Sequence, residues 1–110
     1  MCDFITANTF GANAIKLKRT GYSPAQVISA SLSLAHKAVE ASPRNVKPLI
    51  ALDVGPTGKL LAPFGTLSFD EAYNIFAEQI TAGFNNGADL IIIETMTDIY
   101  EMKAAVLAAK

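Results

Sequence analysis

Three apolar runs in this 110-residue chain each lead into polar side chains that are able to bind a ligand. The run LIII leads directly into Glu94, the run PLIALDV contains Asp53, and FITA leads into Asn8 and Thr9. Carboxylates accept charge-assisted hydrogen bonds from cationic groups, whereas amides and hydroxyls bind other polar groups. If the apolar runs are buried strands, these side chains mark a common ligand-binding edge.

Each carboxylate also has a purely structural explanation. Glu94 can mark the point where a strand reaches water, or it can pair with a neighbouring lysine. Asp53 precedes the turn GPTG and can cap loop amides, which is the commoner role of aspartate before a turn. From the residues alone, both explanations stay open beside the ligand-binding hypothesis.

Capping signals after the first two runs predict where helices begin. Ser23 precedes Pro24, which suits the first helical position, and Ser68 with Glu71 three residues later forms a capping-box pattern. The predicted helices cover residues 24–41, 69–86 and 98–109, and the predicted strands lie near residues 3–7, 48–53 and 89–94. The phenylalanines expected in the core are Phe64, Phe69, Phe76 and Phe84.

Strand, loop and helix repeated three times predict an α/β fold with parallel strands. A doubly wound sheet and a (β/α) barrel both give this pattern, and in both the chemistry gathers at the carboxyl ends of the strands. The polar strand ends favour a sector of a barrel mouth. Because a (β/α)8 TIM barrel takes about eight strands, we expect residues 1–110 to be an internal fragment of a barrel domain, without a complete domain boundary.

Composition argues against several classes of partner. A formal net charge of -1 gives no general attraction to nucleic acid or anionic lipid. No apolar run approaches the ~18 residues that a membrane span needs. The lone Cys2 cannot form an internal disulfide, so the cytoplasm is the expected compartment. It cannot hold a metal by itself either, and we expect no metal site within this chain.

Three stretches, taken together, resemble one known family. They are ITANTFGAN, ALDVGPTGKLLAPFGTLSFDEAYNIFAEQ and GADLIIIETMTDIYEMKAAVLAAK, and they follow in order over essentially the whole chain. The chain is similar to the homocysteine-binding barrel of the homocysteine S-methyltransferases, with the bacterial cobalamin-dependent methionine synthases as the nearest group. The resemblance implies a zinc-dependent (β/α)8 barrel enzyme that transfers a methyl group to the sulfur of L-homocysteine and forms methionine.

The resemblance also assigns substrate-binding roles to matching positions. The family's TNTF turn contacts the amino-acid part of homocysteine, which points to Asn8, Thr9 and Phe10. The glutamate of its ET motif takes the homocysteine ammonium group, which points to Glu94, with Thr95 beside it. A carboxylate at the rim of an apolar strand suits this role, because a charge-assisted hydrogen bond gains strength in a partly desolvated pocket.

The resemblance also places Asp53 and Gly55 at the edge of the same pocket, without a definite role.

Other implications of the resemblance concern what this chain lacks. The family's three zinc cysteines lie on later strands, so the complete protein is expected to bind zinc through ligands that are absent here. Cobalamin and methyltetrahydrofolate would enter through other domains, and the methyl donor stays open. The fragment is expected to hold part of the homocysteine pocket, no catalytic residue and no activity of its own.

A non-catalytic alternative also stays open, namely a truncated α/β module that binds a small amino acid or only self-associates. In either case a barrel sector leaves open sheet edges and exposes the sheet face that normally fills the barrel interior. Residues expected on that face are Ile5, Leu49, Ala51 and Ile92. The expected partners are therefore homocysteine, the remainder of the parent chain, and a second copy in a homo-oligomer.

Overall fold

In a computed structural model, which describes residues 2–110, the chain folds into alternating strands and helices. In chain order these residues form β1 (Phe4–Thr6), α1 (Ala14–Leu17), α2 (Pro24–Ala41), β2 (Leu49–Val54), α3 (Phe69–Asn85), β3 (Leu90–Ile93) and α4 (Ile99–Ala109). The strands lie side by side in the order β1-β2-β3, and both neighbouring pairs are parallel. The predicted strands and the longer helices are confirmed to within one residue at each boundary, whereas α1 was not predicted.

The two faces of the sheet differ in what covers them. Every second residue of β2 faces the helices, and the three residues on this side are at most 2% exposed. They are Ile50, Leu52 and Val54. They belong to one core cluster with buried side chains of α2, α3 and α4. A doubly wound sheet carries helices on both faces, whereas a barrel carries them on its outer face. Within residues 2–110 the fold is therefore a partial β/α barrel with parallel strands, as predicted.

We call the side of the sheet away from this core the open face. The strand register places on it Phe4, Thr6, Leu49, Ala51, Asp53, Leu90 and Ile92. Leu49 remains 50% exposed and Phe4 remains 47% exposed, so apolar surface is left uncovered here. The prediction for Ile5 is wrong, because Ile5 pairs with Ile50 and packs against the helix-side core. Ala51 lies on the open face as predicted, but it is fully buried and so adds no exposed surface. The alternation has a period of two, so an error of one residue moves a side chain to the opposite face.

Local hydrogen bonds explain where the helices begin. In α3, the Ser68 hydroxyl accepts from the Glu71 amide at 3.1 Å, and the Glu71 carboxylate accepts from the Ser68 amide at 2.8 Å. The hydrogen bond from the Ser68 amide to the carboxylate lowers the pKa of Glu71. Ser23 forms the equivalent box with Gln26 at the start of α2. Both predicted N-caps are confirmed.

The core prediction for the phenylalanines is confirmed in part. Phe76 is fully buried and Phe69 packs against the core, but Phe84 is 80% exposed and Phe64 is 88% exposed. At the end of α3 the residue that approaches β2 is Gly83, where an added Cβ would lie 2.5 Å from Leu52 Cδ2. Phe84 is one position further along and is therefore rotated by about 100° away from the sheet.

Candidate functional site

The carboxyl ends of β2 and β3 bring Asp53 and Glu94 together. The Glu94 amide donates to the Val54 carbonyl at 3.0 Å, which continues the β2–β3 pairing past the end of β3. The register of the two strands brings Glu94 near enough to Asp53 for its charge to raise the pKa of Asp53, although the two residues are 41 apart in sequence. Neighbouring parallel strands thus place both acids at one edge, as the strand-end pattern predicted.

The environment of Asp53 favours its protonated form. Partial burial raises the pKa of Asp53, and the charge and hydrogen bond of Glu94 raise it further. Asp53 Oδ1 is buried and has no hydrogen-bond partner among residues 2–110. The negative charges of two adjacent carboxylates repel each other, so protonation of Asp53 or a cationic ligand stabilises the pair.

A threonine joins the loop after β1 to the end of β2. The Thr9 hydroxyl accepts from the Asp53 amide at 2.9 Å and donates to the Asp53 carbonyl at 2.8 Å. The side-chain amide of Gln79, which is fully buried on α3, donates to the Thr9 carbonyl at 2.9 Å. Thr9 is itself 1% exposed, so its side chain fixes the backbone that carries Asp53.

The neighbouring residues of that loop differ in exposure. Asn8 is exposed, and its carbonyl accepts from the Ser31 hydroxyl at 3.0 Å. The Phe10 ring packs directly on the backbone of Gly55, where an added Cβ would lie 2.5 Å from Phe10 Cε2. The Gly55 amide also donates to the Phe10 carbonyl at 3.2 Å. A glycine at position 55 therefore lets an aromatic ring close over the end of β2.

Thr95 turns the chain sharply after Glu94. Its φ is 59°, in the left-handed region that β-branched residues rarely adopt. Residues in such conformations cluster at functional sites, where the surrounding structure holds them in place. The turn separates the exposed Glu94 from the segment that leads into α4.

A second polar contact fixes the loop after β2. Glu101 lies in the first turn of α4, is 3% exposed, and accepts from the Thr57 amide at 2.8 Å and from the Thr57 hydroxyl at 2.6 Å. Both hydrogen bonds end on the same oxygen, Oε1. The buried Glu101 side chain thus accepts two hydrogen bonds from the GPTG turn, which hold that turn against α4.

We call the edge formed by Asp53 and Glu94 at the carboxyl ends of β2 and β3 the rim. Sequence reasoning found these two acids but missed the groups that support them. Gln79 and Glu101 interrupt the apolar stripes of their helices, and a polar residue at a buried helical position is the signal that points to a polar contact. Their partners lie 70 and 44 residues away, which no local pattern reveals.

Residues 2–110 contain no group of three or more histidine, cysteine, aspartate or glutamate side chains placed to hold a metal ion. The described cysteine, Cys2, is exposed and unpaired in this part of the chain. Over the same residues, the helices are too short or too polar to cross a bilayer.

The fold and this rim define a sector of a β/α barrel with polar side chains at the carboxyl ends of its strands. The family model for homocysteine S-methyltransferase matches residues 1–110, which is the whole chain. The chain therefore belongs to the homocysteine S-methyltransferase family, whose members transfer a methyl group to homocysteine.

Proposed function

We propose that this chain forms one side of the homocysteine pocket in a cytoplasmic methyltransferase that converts L-homocysteine to methionine. Membership of the homocysteine S-methyltransferase family supports the substrate. The observation that carries the proposal is the strand register that brings Asp53 and Glu94 to one edge, at the ends of adjacent strands. The pair lies on the open face and at its edge, where a complete barrel places its substrate.

In this proposal the homocysteine ammonium group lies between the two carboxyl groups. An ammonium group has several N–H donors, and the two carboxyl groups offer oxygen acceptors for them. One of these acceptors, Asp53 Oδ1, has no hydrogen-bond partner among residues 2–110. A positive charge between two acids removes their mutual repulsion and makes charge-assisted hydrogen bonds. Glu94 is exposed and makes the direct contact, while the partly buried Asp53 supports it from β2.

The loop after β1 provides the other side of the proposed pocket. Asn8 is exposed and offers an amide group to the amino-acid part of homocysteine, and Phe10 forms an apolar wall over Gly55. Thr9 takes part by holding the Asp53 backbone. Thr95 contributes the sharp turn that presents Glu94.

The proposed enzyme is zinc-dependent, but the residues described here do not fit a zinc site. We therefore place the zinc ligands, and the contacts to a donor such as methylcobalamin or methyltetrahydrofolate, in other segments of a complete protein. By itself, this chain is expected to take up no stoichiometric zinc and to transfer no methyl group. Metal analysis and a methyl-transfer assay on the isolated chain check this expectation.

The open face supports the proposal that the chain is a sector of a larger barrel. Phe4 and Leu49 are about half exposed, and an exposed apolar sheet face with open edges favours association. We predict concentration-dependent self-association of the isolated chain in sedimentation velocity. Leu49→Lys should weaken it by placing a charge on this face. A monomer at all concentrations would contradict the sector proposal.

The main test of the homocysteine site is Glu94→Gln in the complete, zinc-loaded protein. The substitution keeps the shape of the side chain and removes its charge. A charged hydrogen bond contributes about 1.5–3 kcal/mol, so the Kd for homocysteine should rise about ten- to a hundredfold. Calorimetric titration measures the Kd, and zinc content should stay unchanged.

Glu78→Gln is the matched control, because Glu78 is an exposed glutamate on α3, away from the rim. It should leave the Kd for homocysteine unchanged. An equal Kd for wild type and Glu94→Gln would remove Glu94 from the site. If Glu94→Gln instead lowers the melting temperature at normal affinity, the role of Glu94 is structural. The non-catalytic module would be favoured if the complete protein contains no zinc when it is isolated and binds a small amino acid without transferring a methyl group.

A further inference from the structure

A basic groove lies beside the candidate rim and has no part in the function proposed above. Its volume is about 460 Å³, and its lining residues are Ile15, Lys16, Lys18, Arg19 and Lys59. The lining contains no acidic residue from the described part of the chain. We refer to this cavity as the basic groove.

The charge of the basic groove differs from that of the whole chain. The chain has nine lysines and arginines, ten acidic residues and a formal net charge of -1. Four of the nine cationic side chains line this one cavity. Like charges at close range repel each other, and the potential of a concave surface lined by one sign of charge attracts counter-ions. The groove therefore favours an anionic ligand.

The groove is built from two separate loops. Lys16, Lys18 and Arg19 belong to α1 and the turn after it, whereas Lys59 belongs to the loop after β2. The Lys16 side chain connects the two loops, because its Cε reaches Gly58 in the second loop. A Cβ added to Gly58 would lie 3.6 Å from this Cε. The cations are thus brought together by the fold and are not merely neighbours along a helix.

The position of the groove relates it to the rim. Both loops follow the carboxyl ends of their strands, which is the end where Asp53 and Glu94 lie. The Lys16 ammonium group lies 4.8 Å from the centroid of the Phe10 ring, close enough for a cation–π interaction. A ligand in the groove would therefore lie next to Phe10, at the border of the proposed homocysteine pocket.

We propose that the basic groove binds a compact oligoanion, a small molecule that presents several phosphate or carboxylate oxygens at once. A single anionic group would leave most of the four charges uncompensated, whereas the volume accommodates several such groups. Lysine ammonium groups act as mobile point charges, and the arginine fork binds phosphate or carboxylate oxygens in pairs. The site is separate from the acidic pair, which attracts the opposite charge.

The test uses tripolyphosphate and citrate as probes, titrated calorimetrically into the full chain. Binding should weaken when the ionic strength rises from about 0.02 M to about 0.3 M, because the groove is exposed and salt screens it. Lys59→Gln and Arg19→Gln should each raise the Kd about two- to fivefold, in line with the loss of one solvent-exposed charge contact. The preferred probe distinguishes a phosphate ligand from a carboxylate ligand.

Lys37→Gln is the matched control, since it removes one exposed positive charge from α2 outside the groove. It should leave the Kd of both probes unchanged, and circular dichroism checks that every variant is folded. Absence of binding at low ionic strength would overturn the proposal. An equal loss of affinity in Lys37→Gln would also overturn it, because the attraction would then depend on net charge alone.

The two proposals fail separately. Glu94→Gln should leave the Kd for the oligoanion unchanged, because Glu94 does not line the groove. Lys59→Gln should leave the Kd for homocysteine unchanged in the complete protein. A groove that binds neither probe says nothing against the homocysteine site, and normal oligoanion binding does not rescue that site if Glu94→Gln has no effect.

Discussion

The two faces of β2 show how one strand divides its residues between a packed core and an open surface. On the helix side, Leu52 and Val54 are fully buried in an apolar cluster. On the open face, Leu49 is half exposed and Asp53 lies in an environment that raises the pKa of its carboxyl group. The side chains alternate, so residues one position apart along β2 serve different purposes.

This difference indicates where the sequence can change at low cost to folding. The helix side is close-packed, and its residues determine whether the chain folds. The open face carries features that are unfavourable by themselves, such as two adjacent acids and uncovered apolar side chains. Unfavourable features that persist at a strand end are typical of functional sites.

The largest predicted effect tests the helix side. Leu52→Ala removes a fully buried side chain that touches Gly83, and it should lower the free energy of unfolding by about 3–5 kcal/mol. Leu49→Ala, the same change on the open face, should lower it by less than about 1 kcal/mol. Urea unfolding followed by circular dichroism measures both. Equal losses in the two variants would contradict the division between the faces.

The next effect concerns a polar group inside the helix layer. Glu101→Ala leaves the amide and the hydroxyl of Thr57 without their shared acceptor. Leaving buried donors unsatisfied should lower the free energy of unfolding by about 2–4 kcal/mol. Glu101→Gln retains an acceptor oxygen and should lose less, as measured by the same unfolding titration. If Glu101→Ala is neutral, the GPTG turn is not held by α4.

The smallest effect concerns pH and the open face. Because the pKa of Asp53 is raised above 3.8, the folded chain holds more protons than the unfolded chain between 3.8 and the raised value. The free energy of unfolding therefore falls as pH rises through this interval, and the unfavourable contribution is complete above it. Asp53→Asn removes this contribution, and should stabilise the chain at neutral pH by about 0.2–1 kcal/mol, the size of one exposed charge contact.

Melting temperatures across the acidic range measure this effect. The gap between Asp53→Asn and wild type should close as pH falls below 3.8, where the carboxyl group is protonated in both states. Glu94→Gln should give a smaller gain, because it removes the repulsion but leaves the burial of Asp53, and the double variant should add little to Asp53→Asn. A gap that does not vary with pH would show that charge is not its cause.

Much of the fold was predictable because its signals are local. Ser23, Pro24 and Ser68 set the starts of α2 and α3, and the apolar runs set the strands. α1 was missed because its four residues carry too short a pattern to indicate a helix. Phe84 was expected in the core because it lies four residues after Ile80, on the same helical stripe. Next to the sheet, however, the residue of α3 that faces β2 is Gly83.

The candidate site was predictable only in outline. Strand ends identify Asp53 and Glu94, since parallel strands bring their carboxyl ends to one edge. The contact between the two acids depends on strand register, and the support from Gln79 and Glu101 depends on partners distant in sequence. The roles of Asn8, Thr9, Phe10 and Thr95 toward homocysteine stay predictions.

The bond between Thr9 and Asp53 has a consequence for amide hydrogen exchange. The Asp53 amide is bonded to a side-chain hydroxyl, and the Gly55 amide is bonded to the carbonyl of Phe10. Both amides lie at the end of β2, yet the loop after β1 protects them. Their exchange with solvent deuterium should therefore follow the opening of that loop and not the opening of the sheet. These two amides can report loop motion at the rim without any added label.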